Sequence, residues 1–310
     1  MENIKKINSA YGNFPEHNRF DYPDYMVRVT AGNGGESYLI FGSEKTALYD
    51  TGMAYCHEGV VDNIEKALAD RGRNTIDYAL MSHTHYDHIG ALPYILKRWP
   101  DATVVGSKKA RQVFASDGAK ATMKRLGEAA RDNFTDSKEP VDVDGFRVDM
   151  VVGEGDRIDM GDRYFVVMET KGHTNCSLTY VLEPQSLMFT CESTGVMRNP
   201  GNIHTAILKS YKDSIDSAER CKAYGAKQLI SPHYGIIPED RTDYYFDLYI
   251  ECAEAEKDFI LKCRDEGMSR DEIFEAFDER NWSDERGRAQ PREAFEENAK
   301  YSIMHILNNF

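Results

Sequence analysis

Ser82-His83-Thr84-His85-Tyr86-Asp87-His88-Ile89-Gly90 is the stretch of sequence that decides the fold. It places three imidazoles and one carboxylate within six residues, directly after the apolar run 77–81. The apolar run predicts a buried strand, and the residues from Gly90 onward predict the start of a helix. The ligand-type side chains therefore lie on a strand-to-helix turn, and their density there favours a metal site over a set of solvent-exposed loop histidines.

The four polar side chains of this turn can serve two metal ions. Successive side chains on such a turn point to different positions, so His83 and His85 can bind one ion. Asp87 and His88 can bind a second ion beside it. Imidazole and carboxylate ligands suit zinc, iron or manganese, so the residue types alone do not select the metal.

More ligand-type residues follow later strand-like runs of the chain. They are His173 after 164–168, Glu192 after 187–190, and His233 after 226–230. Upstream, Asp50 ends another apolar run beside a glycine turn, where a carboxylate can orient a metal ligand. Each residue alone is typical of a structural histidine or a solvated carboxylate. Their recurrence in series at strand ends indicates one shared site.

The order of these motifs resembles that of the metallo-β-lactamase-fold hydrolase superfamily, from about residue 20 to residue 240. The motifs are Asp50, His83 to His88, Gly172-His173-Thr174, Glu192 and Ser231-Pro232-His233. The resemblance implies a metallohydrolase with two divalent ions, most commonly zinc, with iron or manganese as alternatives. It also implies the ligand sets: His83, His85 and His173 for one ion, Asp87, His88 and His233 for the other, and Glu192 as the bridge.

Glu192 departs from the pattern of the family. Most members carry aspartate at the bridging position, whereas this chain has glutamate. The additional methylene lengthens the reach of the carboxylate and lets it pivot. Glu192 therefore either bridges both ions or binds only one of them.

The strand-like runs fall into two groups with helical patterns between them. This arrangement predicts an α/β fold with two sheets packed face to face and helices outside, the four-layer αββα sandwich of the superfamily. The predicted strands are 25–30, 37–41, 46–49, 78–81, 103–105, 146–152, 164–168, 178–182, 187–189 and 228–230. Apolar residues spaced by about one turn predict helices around Val60, Ile64 and Leu68 and around Tyr211, Ile215 and Ala218.

Two stretches look like additions to this core. We expect a catalytic domain over residues 1–242, with a helical insertion at 107–140 that is either a lid over the site or a surface element. A C-terminal helical extension is expected over 243–310, in which Ser269 can cap a helix. Similar helices in some members of the superfamily narrow the entrance to the metals or serve dimerisation. The extension therefore either caps the site or forms a homodimer.

Charge and hydropathy exclude several classes of partner. The formal net charge is −14, from 38 Lys and Arg against 52 Asp and Glu, which disfavours nucleic acid and leaves a small-molecule substrate. No apolar run is long enough to cross a bilayer and the first residues carry no signal pattern, so we expect a cytoplasmic protein without a membrane partner.

The six cysteines form no CxxC pair, so reduced thiols are expected. Cys176 and Cys191 lie near candidate ligand segments and either bind metal or pack as small apolar side chains, the latter being the usual role.

The predicted reaction is hydrolysis by hydroxide generated at the two ions. Asp87 would orient the hydroxide and pass a proton to the leaving group, Tyr234 would donate to the developing oxyanion, and His204 could reach the pocket. By analogy with the family, an ester or thioester of a small acid is the expected substrate. Two alternatives remain. One is a di-iron redox role like that of flavodiiron proteins, which normally carry glutamate where this chain has His85. The other is a non-catalytic regulatory or binding role.

Overall fold

The computed structural model describes residues 22–199, 202–237, 239–287 and 289–310. Six strands form the first sheet, and they lie in chain order, β1 to β6, across it. They are β1 Met26–Arg28, β2 Tyr38–Phe41, β3 Thr46–Tyr49, β4 Tyr78–Leu80, β5 Thr103–Ser107 and β6 Met150–Val152. The first three strands pair antiparallel, and β3 to β6 pair parallel. The carboxyl ends of the parallel strands therefore meet at one edge of the sheet.

A second sheet of six strands faces the first and has the order β14-β13-β10-β9-β8-β7. Its strands are β7 Arg157–Asp159, β8 Tyr164–Glu169, β9 Leu178–Glu183, β10 Leu187–Phe189, β13 Gln228–Ser231 and β14 Gly235–Ile237. Its neighbours pair antiparallel, apart from the parallel pair of β10 and β13. A separate two-stranded hairpin joins β11 Val196–Asn199 to β12 Asn202–His204.

Helices flank and extend the two sheets. They are α1 His57–Ala69, α2 Tyr86–Ile89, α3 Leu92–Arg98, α4 Lys108–Phe114, α5 Asp117–Phe134, α6 Tyr211–Tyr224, α7 Glu239–Asp265, α8 Arg270–Asn281, α9 Asp284–Gly287 and α10 Arg292–Asn309. Short 3-10 turns occupy Ala54–Cys56 and Glu192–Thr194. Along the described residues no helix is both long enough and apolar enough to cross a membrane.

The inner faces of the two sheets share one aromatic core. Tyr49 of β3 and Phe189 of β10 lie with ring centroids 4.9 Å apart, in the distance range of favourable aromatic pairs. The buried hydroxyls bond across the interface: Tyr49 donates to the carbonyl of Thr190 at 3.2 Å, and Tyr180 donates to the carbonyl of Met81 at 2.9 Å. These bonds fix one sheet over the other and tie the core to the residues that follow β4 and β10.

The outer faces of both sheets are covered by helices. Val60, Ile64 and Leu68 of α1 are buried with α3 and α4 against the first sheet, which confirms the predicted helix. Ala218 of α6 and Tyr245 of α7 are buried against the second sheet. The order of layers is helix, sheet, sheet, helix, so the predicted αββα sandwich with C-terminal helices is confirmed.

The C-terminal helices have an apolar core of their own. Ile260, Phe277, Phe295 and Ile303 are buried together between α7, α8 and α10. Ser269 caps α8 through a capping box with Glu272, as predicted. The first part of α7 packs on the second sheet and its later part belongs to this core, so the expected boundary at residues 242 and 243 falls inside one continuous helix. The division into two domains remains a prediction.

Several short strands are not those predicted. The predicted strand 146–152 is wrong in its first half, because only Met150–Val152 pairs with β5, while Phe146 stacks on Phe114 of α4. Four strands were not predicted: β7, β11, β12 and β14. Each has three or four residues, too few to display a period of two, and their pairing partners rather than their own sequence stabilise them.

Candidate metal centre

The seven predicted ligands lie at the ends of strands that share one edge of the sandwich. His83 and His85 follow β4, and the short helix α2 carries Asp87 and His88. The other three follow strands of the second sheet: His173 after β8, Glu192 after β10, and His233 after β13. The structure therefore brings together all seven residues, from segments up to 150 positions apart in the sequence.

The seven side chains form two adjacent groups. One contains His83, His85, His173 and Glu192, and the other contains Asp87, His88 and His233. Within each group every residue offers one nitrogen or oxygen atom, and these atoms all lie within 4.8 Å of one another. A cation placed among donors this close would be reached by all of them after small adjustments.

The carboxylate of Glu192 lies between the two groups. Its Oε2 is 2.7 Å from Nε2 of His173 and 3.3 Å from Nε2 of His83 in the first group. The same oxygen is 3.7 Å from Nε2 of His88, while Oε1 is 3.3 Å from Nε2 of His233, both in the second group. Oε2 therefore lies near both groups and Oε1 lies near the second, so the carboxylate is within reach of both, as expected of a bridging carboxylate.

Two histidines of the first group, His173 and His83, direct one nitrogen inward and bond the other outward. Nδ1 of His173 donates to the carbonyl of Ala206 at 2.6 Å, so in the neutral ring the lone pair of Nε2 faces the carboxylate of Glu192. Nδ1 of His83 bonds to Oγ of Ser82 at 2.9 Å. Nε2 of His83 is buried and has no hydrogen-bond partner within the part of the chain that is described. Lone pairs that converge in this way fit a cation.

The second group shows the same pattern. Nδ1 of His233 donates to the carbonyl of Gly34 at 3.0 Å, and Nδ1 of His88 lies 3.0 Å from Oδ2 of Asp50. Nε2 of His88 is the other imidazole nitrogen that is buried without a hydrogen bond among the described residues, and it lies 3.5 Å from Oδ2 of Asp87. Buried polar atoms are rarely left in this state. The donor set of the second group therefore also fits a divalent ion.

Asp50 belongs to neither group, but its carboxylate connects the two groups through hydrogen bonds. Oδ1 accepts a hydrogen bond from the backbone N–H of Ser82 at 2.8 Å, and Oδ2 accepts one from Oγ of Ser82 at 2.6 Å. Because Ser82 in turn bonds to His83, the carboxylate of Asp50 orients one histidine of each group. This is the orienting role predicted for Asp50.

Backbone strain is concentrated around these residues. Asp50, Ala206 and Tyr234 have φ angles of 46°, 47° and 68°, in the left-handed region that residues other than glycine seldom adopt. Asp50 and Ala206 both bond to the outer nitrogen of a candidate ligand, and Tyr234 directly follows another. Strained residues of this kind persist where the surrounding structure holds them, and they are common at functional sites.

Burial and charge set the protonation of the ligands. Burial lowers the pKa of His83 to about 3 and that of His85 well below its usual value, so both rings are neutral. Burial also opposes the charged form of His88, but the nearby carboxylates, Asp87 first, outweigh it and raise the pKa to about 9. Burial would raise the pKa of Glu192, yet the surrounding histidines, His173 first, lower it well below its usual range. His83, His85 and Glu192 therefore already have the protonation state that metal binding requires, whereas His88 would release a proton when a metal binds.

A glycine-rich loop supports the second group, and sequence reasoning missed it. The backbone N–H of Gly35 donates to the carbonyl of Asp87 at 2.9 Å, and Gly34 accepts the bond from His233. The ring of His88 lies against Gly35, with no room for a side chain there. Three glycines in the four residues from 32 to 35, directly between two predicted strands, were the available signal.

A buried ion pair holds this loop. Nη2 of Arg28 donates to Oε1 of Glu36 at 2.9 Å, and Nε of Arg28 also bonds to this carboxylate. Oγ1 of Thr30 donates to Oε2 of Glu36 at 2.7 Å. The backbone N–H of Glu36 donates to the carbonyl of Pro232, next to His233. The pair therefore ties the glycine-rich loop to the last strand end of the site.

A cavity of about 360 Å³ opens beside the two groups, with His85, Asp87, Glu192 and His233 in its wall. The helical insertion lines it through α4 and α5, and the C-terminal extension lines it through α9, α10 and the residues between them. Both additions therefore face the site. The expected homodimer remains a prediction.

The other residues singled out from the sequence lie in or near the cavity wall. Tyr234 and His204 both line the cavity, and Nη2 of Arg286 lies 2.8 Å from Nε2 of His204. The thiols of Cys176 and Cys191 are buried and lie 3.2 Å and 3.1 Å from threonine hydroxyls. Within the described residues neither thiol belongs to the two ligand groups. Cys176 packs in the apolar core beside the first sheet, whereas Cys191 lies near the hydroxyls of Thr170 and Thr179.

These features identify the family. Residues 31–233 match the family described as the metallo-beta-lactamase superfamily, and the chain belongs to it. A metallo-beta-lactamase family protein from Thermus thermophilus has the same fold, with a TM-score of 0.57 at 18% identity over 77% of this chain and 83% of that one. The resemblance proposed from the sequence motifs is thereby confirmed.

Curated relatives of the chain have two different kinds of name. A coenzyme F420H(2) oxidase of Methanothermobacter marburgensis is 24% identical over 176 residues, which are 56% of this chain and 37% of that protein. A hydroxyacylglutathione hydrolase of Legionella pneumophila is 22% identical over 147 residues, 47% of this chain and 44% of that protein. The chain thus spans less than half the length of either relative, one of which is named as a redox enzyme and the other as a hydrolase.

Proposed function

We propose that the protein is a metal-dependent hydrolase that cleaves an ester or thioester bond of a small molecule at a dinuclear site. The observation that carries this proposal is the position of the Glu192 carboxylate, with Oε2 2.7 Å from His173 in one group of candidate ligands and Oε1 3.3 Å from His233 in the other. The cavity beside those residues supplies room for an organic substrate. The name of the hydrolytic relative is consistent with the same chemistry.

His83, His85 and His173 would hold one ion, Asp87, His88 and His233 the other, and Glu192 would contact both. Two divalent ions, when bound, acidify water and polarise a carbonyl oxygen, which is the chemistry that ester hydrolysis needs. The outward bonds of His83, His88, His173 and His233 fix the direction of their inward nitrogens. The protein's own contribution is to keep the lone pairs of the ligand atoms directed at the positions that the ions would occupy.

Asp87 is the residue best placed to move a proton. Its Oδ2 lies 3.5 Å from Nε2 of His88 and 3.6 Å from Nε2 of His233, and the residue also lines the cavity. One oxygen can therefore remain with the ligand group while the other accepts a proton and delivers it to the leaving group. Tyr234 lines the same cavity beside His233, and its hydroxyl is our candidate donor to the oxyanion.

A redox function at a di-iron site is the second candidate. It is favoured by the match to the coenzyme F420H(2) oxidase, which covers more of this chain than the match to the hydrolase. The same ligands suit iron, because imidazole and carboxylate do not discriminate strongly among these metals. The identity of the bound metal separates the two candidates.

Elemental analysis of protein purified without added metal or chelator is the first test. About two zinc or manganese ions per chain, together with hydrolysis in a screen of esters and thioesters, would support the proposal. Two irons with an oxygen-dependent change in the absorption spectrum would support the redox function instead. Absence of tightly bound metal, with no hydrolysis after reconstitution, would point to a non-catalytic role.

The Asp87→Ala variant tests the proton-transfer step. We expect kcat to fall by about a hundredfold or more, since general acid-base catalysis contributes on that order. The matched control is Asp62→Ala, which removes an exposed carboxylate from α1, and its activity should equal that of the wild type. A variant at Asp87 with full metal content and unchanged kcat would show that this residue does not transfer the proton.

A further inference from the structure

We propose that the cavity beside the ligands is an acyl-binding pocket for an uncharged, apolar chain of medium length. The inference rests on the proposed hydrolase function and narrows its substrate class. The substrates would be hydrophobic acyl esters or thioesters, in place of esters of short polar acids. The residues that carry the inference belong to the two additions that cover the site.

One wall of the cavity is an apolar face of α5. Ala119, Met123 and Leu126 recur at the spacing that places side chains on the same side of a helix, and all three line the cavity, next to Val113 of α4. Met123 is only 7% exposed although its helix lies outside the sandwich. This face therefore gives the cavity an apolar side that the metal chemistry itself does not need.

Other apolar residues of the wall come from outside the helical insertion. They are Ala206 and Leu208, from the loop after β12, and Ala294 of α10, and all three are buried. An alkyl chain in contact with these residues and with α5 would be removed from water. A buried charged group there would lose its hydration, at a cost that only an opposite charge or several hydrogen bonds could offset.

The charged residues that line the cavity outside the two ligand groups contact other protein groups. Nζ of Lys209 lies 4.4 Å from the centroid of the Tyr301 ring. Arg286 is 7% exposed, and its guanidinium donates to Oε1 of Gln290 at 3.2 Å and to the carbonyl of Asn281 at 3.2 Å, besides its contact with His204. The carboxylate of Glu297 accepts a bond from Arg125 at 2.6 Å. The charges of these residues therefore interact with groups of the wall itself, which favours an uncharged ligand in the cavity.

The two additions contact each other beside the cavity. Arg125 of α5 bonds to both Glu293 and Glu297 of α10, and Glu297 also lines the cavity. The cavity volume of about 360 Å³ is near the lower end of the range for organic ligands. Chains beyond a limiting length should therefore be excluded, which gives the pocket a measurable size.

A series of nitrophenyl esters tests the pocket on the metal-loaded protein. From acetate through butyrate and hexanoate, each buried methylene should raise kcat/KM about fourfold. Once the chain fills the pocket, kcat/KM should fall for longer esters. A flat profile, or one that declines from acetate, would overturn the inference while leaving the hydrolase proposal standing. No hydrolysis of any ester would contradict the hydrolase proposal itself.

Substitutions in α5 test whether this helix determines the preferred length of the acyl chain. Leu126→Trp should shift the optimum to shorter esters and lower kcat/KM for hexanoate by about tenfold or more. Ala121→Trp, at an exposed position of the same helix, should leave the profile unchanged. If the Leu126 variant does not fold, Ala119→Phe fills the same space and should give the same shift. Equal profiles for the wild type and a folded cavity variant would overturn the inference.

A binding measurement separates the pocket from catalysis. Titration calorimetry with hexanamide, a neutral compound with the same chain, should detect binding to wild-type protein with its metals removed by chelation. Leu126→Trp should abolish the signal and Ala121→Trp should preserve it. Absence of hexanamide binding to the wild type, or equal binding to both variants, would overturn the inference, whatever the protein hydrolyses.

Discussion

Gly35 lies against the imidazole of His88 so closely that a Cβ on the glycine would be 2.4 Å from Nδ1. The ring cannot move aside, because it is fully buried and the same nitrogen bonds to Asp50 at 3.0 Å. The backbone of Gly35 also bonds to the carbonyl of Asp87. One glycine outside the ligand set thus fixes the position of two residues in the second group.

We expect Gly35→Ala to lose the ion of the second group and to keep that of the first. Metal content should fall from about two ions per chain toward one, since the displaced ring of His88 can no longer converge with Asp87. Elemental analysis and competitive chelator titration would measure this. Gly118→Ala is the matched control, because a Cβ there would lie 3.9 Å from its nearest neighbour. Two tightly bound ions in Gly35→Ala would refute the positioning role.

Asp50→Asn should weaken metal binding by about 10- to 100-fold in both groups. Oδ2 of Asp50 accepts bonds from Ser82 and His88, and an amide nitrogen in its place would face those donors instead. Asparagine tolerates the φ angle of 46° at this position, so the backbone should be preserved. Ser82→Ala should have a smaller effect that is confined to the first group. Chelator competition would compare the variants, and an unchanged affinity in Asp50→Asn would contradict the prediction.

Arg28→Met should destabilise the protein by about 3–5 kcal/mol, because it leaves the carboxylate of Glu36 buried without its counter-ion. Both side chains are almost fully buried, at 2% and 3% exposure. The double variant Arg28→Met, Glu36→Leu should recover part of the loss, since it removes the unpaired charge. Urea unfolding monitored by circular dichroism would measure both free energies. A single variant within about 1 kcal/mol of the wild type would contradict this account.

Stability should depend on pH through His305, which joins α10 to the start of α6. The backbone N–H of Tyr211 donates to Nε2 of His305 at 2.8 Å, so the folded protein favours the neutral ring, and burial lowers its pKa below 6.5. At pH values between the folded and the unfolded pKa of His305, the unfolded chain therefore binds more protons than the folded protein does. The contribution to stability is complete above pH 6.5 and is lost as the pH falls through the folded pKa.

The His305→Gln variant isolates this effect from other titrating groups. Free energies of unfolding for the wild type and the variant would be measured at about pH 7.5 and about pH 5.5. We expect the advantage of the wild type to shrink at the lower pH. A difference between the two proteins that stays constant with pH would show that His305 does not titrate on unfolding.

The candidate ligands could be predicted because they lie on turns that follow apolar runs, and such runs predict strands. His173 and His233 are far apart in the sequence, yet strand ends at one edge of a sandwich must be neighbours. The pattern of buried strands therefore predicts both the fold and the site. Only some of the shortest strands, such as Arg157–Asp159, are not predicted by this pattern.

The supporting contacts could not be predicted in the same way. Arg28 and Glu36 look like ordinary surface charges in a strand and a loop, and only the tertiary structure shows that they are buried together. The contact between Arg125 and Glu297 joins residues 172 positions apart, and no periodicity in either helix indicates a partner. Whether the insertion covers the site is likewise decided by packing between distant segments.

The ion pair between Arg125 and Glu297 belongs wholly to segments that carry none of the ligands. All seven candidate ligands lie between His83 and His233, on turns held by the two sheets. If the proposed hydrolase function holds, exchange of α5 and α10 for helices of other sequence would alter which molecules enter the cavity and leave the candidate ligands in place. Selection, or a protein engineer, could then revise substrate choice in helices that carry none of the candidate ligands.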